Sequence, residues 1–106
     1  MTSFNDREKS FENKFANLEE KRFKTEARRN KLVGQWAAGL MGKSGAAIED
    51  YCKEVVKSDF AEPGDNDVLR KVYGDLSAAG LSVKEAEVRA KMDELYKEAK
   101  KQIAAE

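Results

Sequence analysis

Leu32-Val33-Gly34-Gln35-Trp36-Ala37-Ala38-Gly39-Leu40-Met41-Gly42 is the stretch that decides how this chain folds. Leu32, Val33, Trp36, Ala37, Leu40 and Met41 recur at the spacing that gathers side chains on one wide face of an α-helix. Trp36 is placed as a core anchor, because large aromatics are highly buried on average. Gly42 stands just past the last apolar position, where a helix end favours a residue free to take positive φ. Gly39, inside the helix, is expected to loosen it by about 1 kcal/mol relative to alanine. The segment predicts a helix with one face in a core.

Toward the C-terminus the pattern repeats. Gly42-Lys43-Ser44-Gly45 contains a Gly-Lys-Ser, but a phosphate loop needs a glycine where Ala37 stands and a strand before it. It is read as a turn between helices. From Ala46 to about Lys57, Ile48, Tyr51, Cys52, Val55 and Val56 fall on one side of a second helix. Ser58 to Asn66 holds the single proline, Pro63, followed by Gly64, and is read as a loop. Its acids lack the register of a calcium loop, and Asp65 or Asn66 is expected to cap the next helix. That helix runs from about Asp67 to Ala79, with Val68, Leu69, Val72, Tyr73, Leu76 and Ala79 inward and Gly80 as its stop. Ser82-Val83-Lys84-Glu85 has the form of a capping box, with Leu81 and Ala86 as its hydrophobic staple. A fourth helix to about Ala104 carries Val88, Met92, Leu95, Tyr96, Ala99 and Ile103. Short connections favour antiparallel neighbours. The prediction is an all-α fold, an irregular four-helix bundle.

At 106 residues there is enough chain for one modest core. Twenty basic residues balance 20 acidic ones, which argues against a general nucleic-acid binder. No segment approaches the apolar length of a membrane span, and the N-terminus lacks a basic-then-apolar export signal. With Cys52 as the single cysteine, a cytoplasmic location is expected. The sequence has no histidine, which removes the commonest general base and the commonest transition-metal ligand. No nucleophile–base pair stands out, so no catalytic residue and no metal ligand is assigned, and the chain is not read as an enzyme.

The remaining stretch is the N-terminus, where Phe4, Phe11, Phe15 and Leu18 form a narrow apolar stripe at helical spacing among charged and polar residues. One reading is an amphipathic first helix packed on its own domain. The other is an arm, flexible or helical, that enters a partner's groove. Burying each phenylalanine is worth roughly 1.5–3 kcal/mol, and association costs roughly 4–15 kcal/mol, so the arm alone would bind weakly and needs a second anchor. The following segment, Glu19 to Lys31, pairs Glu20 with Lys24 at helical spacing and is locally basic through Arg22, Arg28, Arg29 and Lys31. These four are read as a solvated helix face, as a contact strip for an acidic partner surface, or as a weak phosphate site taking ATP or ADP. Sequence leaves open whether arm, charged segment and core segment form one helix.

Phe4-x-x-Arg7-Glu8-x-x-Phe11-Glu12-Asn13-Lys14-Phe15-Ala16, with Arg22-Phe23-Lys24-Thr25-Glu26-Ala27-Arg28-Arg29-Asn30-Lys31-Leu32 and Trp36-Ala37-Ala38, closely resembles the ζ inhibitor subunit of α-proteobacterial F-type ATP synthases. The likeness covers essentially the whole chain. It implies a regulatory inhibitor whose N-terminal arm, residues 1–18, inserts at a catalytic α/β interface and contacts the central rotor. A bundle of residues 19–106 would dock outside. Phe4, Arg7, Glu8, Phe11, Glu12, Asn13, Lys14 and Phe15 are then the expected partner-binding residues. The implied partners are the α, β and central rotor subunits, with no nucleic acid, no direct membrane insertion and no cofactor beyond weak ATP or ADP. The free protein is expected to be a monomer, held at the inner membrane only through the synthase.

Overall fold

The computed structural model describes residues 3–59 and 64–106, with side chains from residue 19 onward. Among them the chain forms four α-helices: α1 (Ser3–Leu40), α2 (Ala46–Ser58), α3 (Asn66–Ala78) and α4 (Glu85–Ala105). The question left open by the sequence is settled for the backbone, since α1 is one uninterrupted helix of 38 residues. At 1.5 Å per residue it is about 57 Å long. With 13 residues each, α2 and α3 are only about 20 Å long. α1 packs on α2 and α4 and touches α3, so it is the common member of the bundle.

Val33 and Ala37 of α1 are fully buried with Val55 of α2, Val72 and Leu76 of α3, and Val88 and Met92 of α4. Trp36 is only partly buried at the edge of this core, with the Lys91 ammonium 5.9 Å from the ring centre. Leu40 differs from expectation. It is 43% exposed at the last residue of α1, while Ala38, about 200° around the helix from it and outside the predicted face, is fully buried. Both predicted glycine stops are present. Gly42 and Gly80 take positive φ, and the amides of Lys43 and Leu81 reach back to the carbonyls of Ala38 and Leu76 at 2.9 and 3.1 Å.

The expected capping box at Ser82 does not form. α4 begins at Glu85, after an extended Lys84 that makes no side-chain cap hydrogen bond. The reason lies in packing. Leu81 and Val83 are partly buried against the core while Ser82 and Lys84 are exposed, so this segment uses the alternation of extended chain to cover the bundle end. Ala86 is exposed and staples nothing. At α3, Asp65 does occupy the N-cap position, but its carboxylate makes no cap hydrogen bond.

Two contacts fix how the helices meet. A Cβ on Gly34 would stand 2.8 Å from the Cα of Cys52, so glycine is what lets α1 lie directly on the α2 backbone. The Cys52 thiol is buried there and donates to the Lys31 carbonyl at 3.3 Å. Between α2 and α3, the buried Tyr51 hydroxyl donates to Asp75 Oδ2 at 2.9 Å, and Lys71 Nζ donates to the same oxygen at 3.0 Å. Burial, then the hydrogen bond to Asp75 and its charge, push the Tyr51 pKa far above the ordinary range. Burial pulls Lys71 down, but Asp75 and Glu54 outweigh it and hold the ammonium above its usual value.

Gly34→Ala is expected to lower stability by about 1–3 kcal/mol through overpacking. Gly39→Ala, with open space around the added methyl, should raise it by up to about 1 kcal/mol. Thermal melts followed by circular dichroism compare them, and a Gly34→Ala melt at or above wild type would dismiss the tight seam. A second expectation concerns pH. Tyr51 and Lys71 hold their protons to higher pH folded than unfolded, so their contribution is complete below about pH 10, where unfolded tyrosine titrates, and is lost as pH rises beyond it. Urea unfolding between about pH 9 and pH 11 should show this loss, with a shallower slope for Tyr51→Phe. Equal slopes would assign the linkage elsewhere.

Candidate functional site

The expected arm lies on the backbone of α1, but the side chains of Phe4, Arg7, Glu8, Phe11, Glu12, Asn13, Lys14 and Phe15 are outside the described residues. Their register is nonetheless informative. Positions 4, 11, 18 and 25 are seven apart, as are 15, 22, 29 and 36, so on a helix the stripe runs into Arg22, Thr25 and Arg29 before reaching Trp36. The apolar register is thus interrupted by a polar one where α1 enters the bundle.

That interruption is buried. Thr25, Arg29 and Asn30 are the buried polar residues among those described, and Arg29 is only 5% exposed. Its Nη2 lies 3.8 Å from Asp59 Oδ2 and its Nη1 3.4 Å from Asp65 Oδ2, while its Nε donates to Asn30 Oδ1 at 2.9 Å. Asn30 in turn donates to Asp59 at 2.9 Å. Arg89 of α4 holds the other oxygen of Asp65 at 2.8 Å. The guanidinium of Arg29 also sits over the Tyr96 ring, 5.8 Å from its centre. One arginine therefore ties α1 to both ends of the α2–α3 connection and to α4. Thr25 bonds its own helix, donating to the Lys21 carbonyl at 2.7 Å.

The four basic residues singled out in the sequence do not form one strip. Arg22 is solvent-exposed and pairs with Glu26 at 3.4 Å, and Lys24 pairs with Glu20 at 3.3 Å as its spacing predicts. Arg28 donates to Gln102 and Glu106 of the α4 end. Arg29 is occupied as described. Lys31 is exposed and lines a groove between α1 and α2.

This groove encloses about 700 Å³. Ala27, Ile48, Cys52, Val56 and Ile103 form its apolar floor, and the exposed Phe23 stands at one end. Lys24, Arg28 and Lys31 line it from α1, and Lys53 and Lys57 from α2. Glu49 and Glu106 are its acids. Lys53 and Lys57 were not anticipated; their only sequence signal is a four-residue step, which places both on one helix face. Among the described residues no group of acids and cysteine is arranged to hold a metal ion, and no helix is long and apolar enough to cross a membrane.

The fold is that of a small all-α protein in which one long helix carries a bundle at its C-terminal half, and the sequence of its N-terminal half has the spacing of a separate apolar stripe. The chain belongs to the family described as ATPase inhibitor subunit zeta, which it matches over residues 1–102. A similar protein whose structure was solved by solution NMR is 52% identical, with a TM-score of 0.71 over 79% of this chain and 95% of that one. No curated protein matches.

Arg29→Ala is expected to cost about 3 kcal/mol, because it leaves Asp59 and Asp65 without their shared cation. Arg29→Lys should recover only part, lacking the fork that reaches two carboxylates. Urea denaturation measures both, and wild-type stability in Arg29→Ala would show that Arg89, Asn30 and water serve the two acids without it.

Proposed function

We propose that this chain inhibits an F-type ATP synthase, with residues 1–18 as the inhibitory arm and residues 19–106 as the anchor. The arm inserts at a catalytic α/β interface and reaches the central rotor, blocking rotation in the hydrolysis direction and so conserving ATP. The observation that carries this reading is the family match, which begins at residue 1 and includes the whole arm. Continuity of α1 supports it, because a helix joined to the core presents its N-terminal half already ordered in backbone. That lowers the entropy lost on docking relative to a loose tail. Phe4, Phe11 and Phe15 fill apolar grooves, and Arg7 and Lys14 pair with acidic groups of the partner. Glu8, Glu12 and Asn13 complete the matched motif.

The test is ATP hydrolysis by the cognate catalytic head stripped of inhibitor. Full-length chain is expected to inhibit. Residues 16–106, and the full chain carrying Phe4→Ala, Phe11→Ala and Phe15→Ala, should lose most of that inhibition. If the truncated chain inhibits as well as the intact one, the arm is not the effector.

A further inference from the structure

The groove between α1 and α2 has a shape and charge that the arm does not account for. From Phe23 to Gln35 it follows about 18 Å of α1, and from Ile48 to Lys57 about 14 Å of α2, which matches three turns of a third helix laid alongside. Its floor is apolar, so an occupant must present an apolar stripe. Lys31, Lys53 and Lys57 make no salt bridge among the described residues, leaving cations in excess on both rims. They are strung along two helices rather than converging on a point, and the fork of Arg28 is held by Gln102 and Glu106. That spacing suits carboxylates on either side of an apolar stripe better than it suits one phosphate group.

We propose that this groove docks an acidic amphipathic helix of about three turns presented by the ATPase head. The proposal rests on the reading of the chain as an inhibitor of that enzyme and names the surface by which the bundle anchors. Charge complementarity selects the occupant. The chain's own residues 1–18 carry Asp6, Glu8 and Glu12 against Arg7, Lys9 and Lys14, and so offer the rims no net negative charge. Positions 24, 28 and 31 also lie across the helix from positions 4, 11, 15 and 18, so arm and groove engage different surfaces at once.

The experiment measures binding of the full chain to immobilised catalytic head stripped of inhibitor, with ATP hydrolysis followed separately. Lys53→Glu/Lys57→Glu is compared with Lys84→Glu/Lys97→Glu, which reverses two exposed charges outside the groove, after circular dichroism shows both are folded. Lys53→Ala/Lys57→Ala replaces the first pair if it does not fold. The groove pair is expected to weaken binding by about tenfold or more, mainly through slower association and most at low salt, with the control within about twofold. At saturating concentration the groove variant should still inhibit. Groove and control variants binding alike would overturn the proposal, as would no binding by wild type. Wild-type binding without inhibition, still weakened by charge reversal, would sustain the docking groove and sink the inhibitory reading. Sedimentation showing a dimer that charge reversal abolishes would give the groove to a second copy and overturn the proposal. Amide shifts along the groove with millimolar inorganic phosphate, alongside unchanged binding to the head, would give it to a small anion and overturn it equally.

Discussion

At Gly34 two helix backbones meet without a side chain between them. A methyl there would press on the Cα of Cys52, which cannot yield without moving α2 as a whole. The seam between α1 and α2 is set by this contact, and much follows from it. Val33 and Ala37, flanking the glycine, reach the same core as Val55. On the outer side the close approach brings Ala27, Cys52 and Val56 together as one floor, with lysines from both helices left above it. A wider seam would admit water to that floor and separate the two rims.

The second constraint is electrostatic. A buried arginine is tolerable only when its charge is met by carboxylates and its donors by oxygens. Arg29 meets both conditions through residues that flank the α2–α3 connection, and Arg89 approaches Asp65 from α4. The arrangement makes the entry of α1 into the bundle polar rather than oily. Apolar residues at positions 22, 25 and 29 together would extend the phenylalanine stripe unbroken into the core, in the same helical registers.

Much of the fold was legible in the sequence because its signals are local. The apolar spacing around Val33, Val55, Val72 and Val88 and the glycines at 42 and 80 each act within a few residues of themselves. What could not be read depends on distant partners. Arg29 looked like a member of a solvated basic run, since the acids that bury it stand 30 and 36 positions later. The start of α4 was misplaced because Ser82 and Glu85 satisfy a local capping pattern, while Val83 gains more by covering the core in extended chain. The groove had no local signal beyond the four-residue step from Lys53 to Lys57, since it belongs to the space between helices. For the arm, periodicity gave a stripe and nothing about its use; the expected use came from residue strings similar to a known family, and membership of that family is now shown over residues 1–102.

Because α1 runs without a break from Ser3 to Leu40, it also acts as an angular gauge. Each residue turns the helix by about 100°, so the direction in which the N-terminal stripe faces is locked in phase with the seam at Gly34. One residue inserted between Leu18 and Glu19, ahead of the Glu20–Lys24 pair and of Phe23, would leave the contacts of the bundle in place yet swing the stripe about a quarter of a turn away. In a helix of this kind, length between two faces is a torsional quantity, and a single-residue indel there changes aim rather than stability.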